Sequence, residues 1–442
     1  MLTYNAASTV ATGTQTDTQS LKLTDVGAIN TAAAGAASNA KALDVTIAKV
    51  EALDITTAGT ANTLDLSGVA DAKSIKITGA GQTEIQDVAA ATTSFDASGA
   101  TGNVIADLTS ANTTALTTVK TGTGDDTVTV AAGDLTTTAT VDGGSGADTL
   151  KLNGAGGTIQ PSFAGFETIE LAGITSALTF SGTNTSNITD VKVSGTNTAG
   201  ASFVNMDATD LTVTTVGGQG NNIAADNSGA VTFNATATAT ASGTEANSGS
   251  ATFDNASSLT VNVGEYVNQS GAISAAAAKE VTVNVASKVV NSVEQTQLSS
   301  AITAGEATTF TVTADGELAS GSGIDAAKAT SGSLTTGSTA DADFDITAAK
   351  LTSLRKLKDT HLLESSNSRV PWVRSVPVQT QTAVSRKPAI AAERKPNSIS
   401  CWCQYGAGMA SGRLMRPVTR VTHRGMMRLA NTASDRKNTR NG

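Results

Sequence analysis

The sequence predicts an all-β chain: an elongated parallel β-solenoid of short strands, about 20–22 residues per turn, ending in an unrelated basic tail. Three observations carry this. A short strand-like phrase recurs along most of the chain, two glycine–aspartate segments are spaced by one such turn, and the residue vocabulary changes abruptly near Ser353.

The recurring phrase is aliphatic, polar, aliphatic, then threonine or serine, often followed by glycine. It appears as LDVTI at 43, LDIT at 53, LDLSG at 64 and IKITG at 75, and later as LKLNG at 150 and VKVSG at 191. LTVTT at 211, VTFNA at 231, LTVNV at 259, VTVNV at 281 and FTVTA at 310 continue it. Alternation with period 2 is the pattern of a strand with one buried face. Early phrases start about ten residues apart, so every second one falls a full turn later. Stacked in register at about 4.8 Å, some fifteen turns would extend roughly 70 Å. The competing architecture is a β-sandwich of the same short strands, or a chain of small sandwiches. Sandwich strands are usually separated by proline-rich and aromatic-anchored turns, and Pro161 is the one proline before residue 371. With only 3% aromatic residues, the core is expected to consist of small and β-branched side chains.

Three domains follow: a threonine- and alanine-rich lead-in (1–40), the solenoid (41–352) with its glycine–aspartate segment at 121–152, and the tail (353–442). Some stretches break the rhythm. Ile29–Leu43 and the alanine run Ala275–Ala278 read as short helical or loop insertions. Val289, Val293, Leu298 and Ile302 fall near helical spacing, which predicts a helix covering the solenoid side. Ala235–Ser250 is low in complexity and reads as an exposed loop.

Gly143–Lys151 reads GGSGADTLK, a fit to the nonapeptide GGxGxDxUx, in which U is a large aliphatic residue. Thr121–Thr129, TGTGDDTVT, fits at all but the first glycine. The glycines let the backbone curl and turn carbonyl oxygens inward, while the aspartate adds a carboxylate. An all-oxygen ring suits a hard cation such as calcium. The alternative is a plain glycine turn with no metal.

GTGDDTVTV, VDGGSGADTLKL and then FAGFETIELAG (Phe163–Gly173) together resemble the calcium-binding surface-layer proteins of Gram-negative bacteria. These are repeats-in-toxin (RTX) proteins exported by type I secretion. The resemblance extends to the threonine- and alanine-rich, arginine-free composition through about Lys350. It implies that calcium drives both folding and assembly into a lattice. By motif position it implies ligands at Asp126 and Asp148, carbonyl or close-backbone roles at Gly122, Gly124, Gly144 and Gly146, and further carboxylates at Asp125 and Asp142. The expected function is structural: a calcium-dependent extracellular surface layer built by self-assembly. The expected partners are the chain itself and a cell-surface lipopolysaccharide or glycan, and the rival reading is an RTX-type adhesin.

Composition argues against other classes. Through Thr352 there is no histidine, cysteine, arginine or tryptophan, which excludes Ser-His-Asp and Cys-His catalysis there. A carboxylate pair acting on polysaccharide is the residual enzymatic reading, and no enzyme is expected. No apolar run of membrane-spanning length occurs, and the N-terminus lacks the basic-then-apolar order of a conventional signal peptide. Up to residue 352 there are 12 lysines against 34 acids, a net of −22; beyond it, 17 Lys+Arg against 4 acids give +13. In the tail Arg413, Arg416, Arg420, Arg424 and Arg428 recur at helical spacing, whereas Cys401, Cys403 and His423 fit no zinc pattern. The tail reads as foreign to the head, by frameshift, gene rearrangement or read-through. A basic binding tail or a small domain is the alternative, and no nucleic-acid partner is expected.

Overall fold

The computed structural model describes residues 2–5, 17–27, 42–110, 116–182, 188–195, 197–206, 210–216, 222–237, 246–290, 293–337, 344–357, 361–363, 372–373 and 400–402. The chain divides at Cys403. The unit before it is a parallel β-solenoid, and Gln404–Gly442 lies outside the described residues.

Each coil contributes one strand to a 17-stranded sheet. Its register runs Leu64 to Ile85, Ala106, Val128, Leu150, Ile169, Val191 and Val213, one residue per coil. Most steps match the expected turn length, so the repeat read in the sequence is the pitch of the coil. Three steps are longer: from Leu2 to Val45 at the start, from Phe233 to Val261 and from Val283 to Val312. The register resumes after each of them, and in the last step the hairpin of Val289–Val290 and Val293–Glu294 takes up extra residues.

Period-2 alternation places one side of every strand inward. Val128, Val130, Leu150 and Leu152 are all at 0% exposure. Full burial of such side chains stabilises by about 1.5–3 kcal/mol each, which offsets the ordering of long polar stretches. The core differs from expectation in one respect: all nine phenylalanines are buried in it. Few aromatics are present, but a coil can seat one where its neighbour gives way. Phe310 stacks on Gly332, where a Cβ would come 2.2 Å from the ring.

A second strand per coil forms a flank sheet. Seven such strands run from Thr18–Thr24 to Ser162–Ala164. Nine others, from Thr158–Ile159 to Asp345–Thr347, form a different sheet. At the changeover Phe163 lies 5.6 Å from both Phe166 and Phe180, and Phe180 lies 5.7 Å from Phe203. These rings fill the space that the change of sheet opens. From Ala246–Ser248 onward a third, 4-stranded sheet adds another face.

Corners repeat as well. Ala278 N–H donates to Ala275, Ala307 to Ala304 and Ala329 to Ala326, each a β-turn with two buried small residues. The run Ala275–Ala278 is therefore a corner and not an insertion; the alanines are there because the coil bends against its neighbours. The helix expected over 289–302 is also absent. Val289–Val290 and Val293–Glu294 form an antiparallel hairpin, followed by strands Gln297–Leu298 and Ala301–Thr303. Two short strands after a hairpin reproduce helical spacing by coincidence. Of Ala235–Ser250, the first two residues end the strand Ala230–Thr236, Ala246–Ser248 is a strand, and 238–245 lies outside the described residues. Of Ile29–Leu43, only Ala42 and Leu43 are described, and Leu43 opens a strand.

Strands reach past both expected boundaries. Leu2–Asn5 pairs with Leu43–Ala48, and Thr18–Thr24 with Ala52–Ala58. Ser353–Leu357 adds a rung after Ser331–Thr336, with Leu354 buried. Most of the tail, with its arginine series and His423, lies outside the described residues.

Two outward faces are ordered. On the flank sheet Asp54, Lys76, Asp96, Lys120 and Asp142 align in one column of alternating charge. Burial raises the Asp96 carboxyl, but bonds from Ser98 and the charges of Lys120 and Lys76 outweigh it, so Asp96 titrates below its ordinary value. On the long sheet Thr232/Asn234, Thr260/Asn262 and Thr282/Asn284 lie side by side in successive coils. Their amides bond along the column, Asn284 to Asn262 and Asn262 to Asn234, at 2.8 Å each.

Candidate cation site

The two glycine–aspartate segments stack as the same turn in consecutive coils. Gly144 and Gly146 have φ of +82° and +146°. A Cβ at Gly144 would lie 2.0 Å from the carbonyl oxygen of Gly122, and one at Gly146 would lie 2.1 Å from that of Gly124. These glycines are therefore required by coil-on-coil packing, whether or not a metal is bound. The Gly122 carbonyl accepts the Ser145 N–H at 2.9 Å. Gly122 and Gly124 press in turn on Ala100 and Asn103 of the coil before.

The acids form two ladders that run between coils. In the first, Asp126 Oδ1 accepts the Val104 N–H at 2.6 Å, Asp148 Oδ1 accepts the Asp126 N–H at 2.8 Å, and Glu167 Oε2 accepts the Asp148 N–H at 2.8 Å. In the second, Asn103 Oδ1 accepts the Asp125 N–H at 3.1 Å and Asp125 Oδ1 accepts the Ala147 N–H at 2.9 Å. The structure thus brings together Asp125, Asp126 and Asp148, and adds Glu167 and Asn103, which sequence reasoning missed. A signal for Glu167 was present: DTVTV, DTLKL and ETIEL share acid, threonine and aliphatic residues in one order. Asp142 stands elsewhere, at the end of the alternating-charge column, where its Oδ1 accepts the Gly144 N–H at 3.1 Å.

Asp126 and Asp148 are each 1% exposed. Burial raises the Asp126 carboxyl above its ordinary value, against the pull of bonds from Val104 and Gly122. Burial pushes Asp148 up to about 7, with repulsion from Asp126, Glu167 and Asp125 adding to it. Its Oδ2 is buried with no hydrogen-bond partner. A desolvated, unpaired carboxylate oxygen among other acids takes up either a proton or a cation.

The donors present are all oxygens, so they fit a hard cation and not a thiolate or imidazole metal. Among the described residues no group of three or more His, Cys, Asp or Glu side chains gathers to hold a metal unaided. A cation here would draw on the Asp148 carboxylate and on carbonyl oxygens of the turn, as calcium does elsewhere. No helix among the described residues is long and apolar enough to cross a membrane. No protein-family model, no curated protein and no solved structure matches this chain.

Proposed function

We propose that this chain is a structural, non-enzymatic protein of the outer cell surface. It is a calcium-stabilised, RTX-like β-solenoid, exported by type I secretion, whose copies assemble side by side into a surface layer. The observation that carries the reading is the buried Asp148 carboxylate, held between two other acids in a stack of glycine turns, with Oδ2 unpaired. Calcium relieves the repulsion there, so folding and metal binding are one equilibrium. Lateral assembly is supported by charge. A head of net −22 repels its neighbours, and divalent cations, or contact through the uncharged threonine–asparagine face, let copies approach. The anchoring partner on this reading is a cell-surface lipopolysaccharide or other glycan.

The test is assembly of the purified full-length chain, followed by sedimentation and electron microscopy. Two-dimensional order is expected in millimolar calcium and dispersion after chelation. A chain that binds calcium yet stays monomeric at every concentration overturns the surface-layer reading.

A further inference from the structure

We propose that Asp142 is a positioning residue that keeps one carboxylate oxygen of Asp148 open, so that only the second of the two glycine–aspartate turns takes a divalent cation. This rests on the calcium reading above. The two turns bind their carboxylates differently. In the first turn the Gly122 N–H donates to Asp126 Oδ2 at 3.1 Å, and Asp126 Oδ1 takes the Val104 N–H. Both oxygens of Asp126 are thereby engaged by backbone.

In the second turn the equivalent N–H belongs to Gly144, and it goes to Asp142 Oδ1 at 3.1 Å. Asp148 Oδ1 still takes its bond from the preceding coil, but Oδ2 has lost its donor and is buried without a partner. The turns differ at two register positions: Gly143 stands where the Thr121 hydroxyl also bonds the Asp126 carboxylate, and Asp142 stands where the first turn has Lys120. Asp142 aligns with Lys120, whose ammonium has no lone pair to offer an N–H. An acid at that position competes for the glycine N–H, and the carboxylate of the same turn is released for a cation. Asp142 acts on the ligand through the backbone, and its own side chain belongs to the outer face of the flank sheet.

The experiment titrates the metal-free full-length chain with calcium, and separately with terbium as a luminescent probe. One cation per chain is expected. Asp142→Ala returns the Gly144 N–H to Asp148 and should weaken binding by about 10–100-fold, the usual effect of losing an outer-shell partner. Asp142→Asn retains an acceptor oxygen and should keep near-native affinity, whereas a direct ligand would suffer from the lost charge. Lys120→Asp combined with Thr121→Gly, which copies the second turn into the first, should open the first turn and raise the stoichiometry to two.

Affinity unchanged in Asp142→Ala, or equally weak in Asp142→Asn and Asp142→Ala, overturns the positioning role while leaving calcium binding intact. If the native chain binds no cation, the calcium reading and the selection of one turn both fail. Hydrogen exchange then decides the positioning role. The Gly144 N–H should stay protected in metal-free Asp142→Ala and become unprotected in Asp142→Ala/Asp148→Ala. Loss of protection in the single variant overturns it.

Discussion

Asp148 is where the chemistry of single residues bears on the stability of the chain. Its folded-state carboxyl titrates near 7, above the ordinary value of about 4 in an unfolded chain. A raised carboxyl favours the protonated fold. In metal-free buffer its contribution is therefore full below pH 4 and is lost as pH rises through 7. Asp126 is shifted in the same direction and adds to the loss. Melting temperatures in metal-free buffer should accordingly fall between pH 4 and 8, and saturating calcium should abolish the fall at the upper end. Asp148→Asn should flatten the metal-free profile, and a profile equally steep in that variant would remove Asp148 as its cause. Sequence carried the two aspartates and their spacing. It did not carry the inequality between them, because that depends on which side chain reaches the Gly144 N–H, and the competitor, Asp142, sits on a different sheet.

Among the elements, strands were legible and departures from them were not. LTVNV and VTVNV could be read because alternation and β-branched residues agree with each other over every repeat. The stretch from Val289 to Ile302 could not, because apolar residues four or five apart fit a helix as well as a hairpin followed by two short strands. The hairpin is an outgrowth. Val289 and Val293 are 48% and 57% exposed, and the Gln295 N–H donates to the Lys288 carbonyl at 2.7 Å across its base. Glu294 accepts bonds from the backbone of Lys288 and Thr296 and from Ser287 Oγ, which closes that base. Replacing residues 289–293 with Gly-Gly and keeping Glu294 should change stability by no more than about 1 kcal/mol, since shortening a surface loop alters closure entropy only slightly. Chemical denaturation would check this, and a loss of several kcal/mol would mean that the hairpin is part of the coil's structure.

The whole molecule has an internal direction. Among the described residues each internal coil pairs with the coil before and the coil after, and its aliphatic stripe is continuous only through those neighbours. Stability in such a stack is a sum of neighbour terms, so a weak coil in the middle divides it into two cooperative blocks. On the calcium reading, residues 121–171, with the buried Asp126 and Asp148, should be that weak point when no metal is bound. Proteolysis under chelation should cut there first, while calcium should protect the segment. Cleavage at the same rate in both conditions would place the weak point elsewhere.

The in-register stacking also gives the chain a mechanical character. Pulled from its two ends, a stack of parallel coils peels like tape, one coil at a time, with few bonds loaded at once. Each coil of about 21 residues would release roughly 70 Å of contour at about 3.4 Å per residue. A single-molecule trace should therefore be a staircase of small, even steps, with longer ones where the enlarged coils, Leu2 to Val45, Phe233 to Val261 and Val283 to Val312, give way. Calcium would then act as a rivet at one point in the strip, seen as a single taller peak that disappears on chelation.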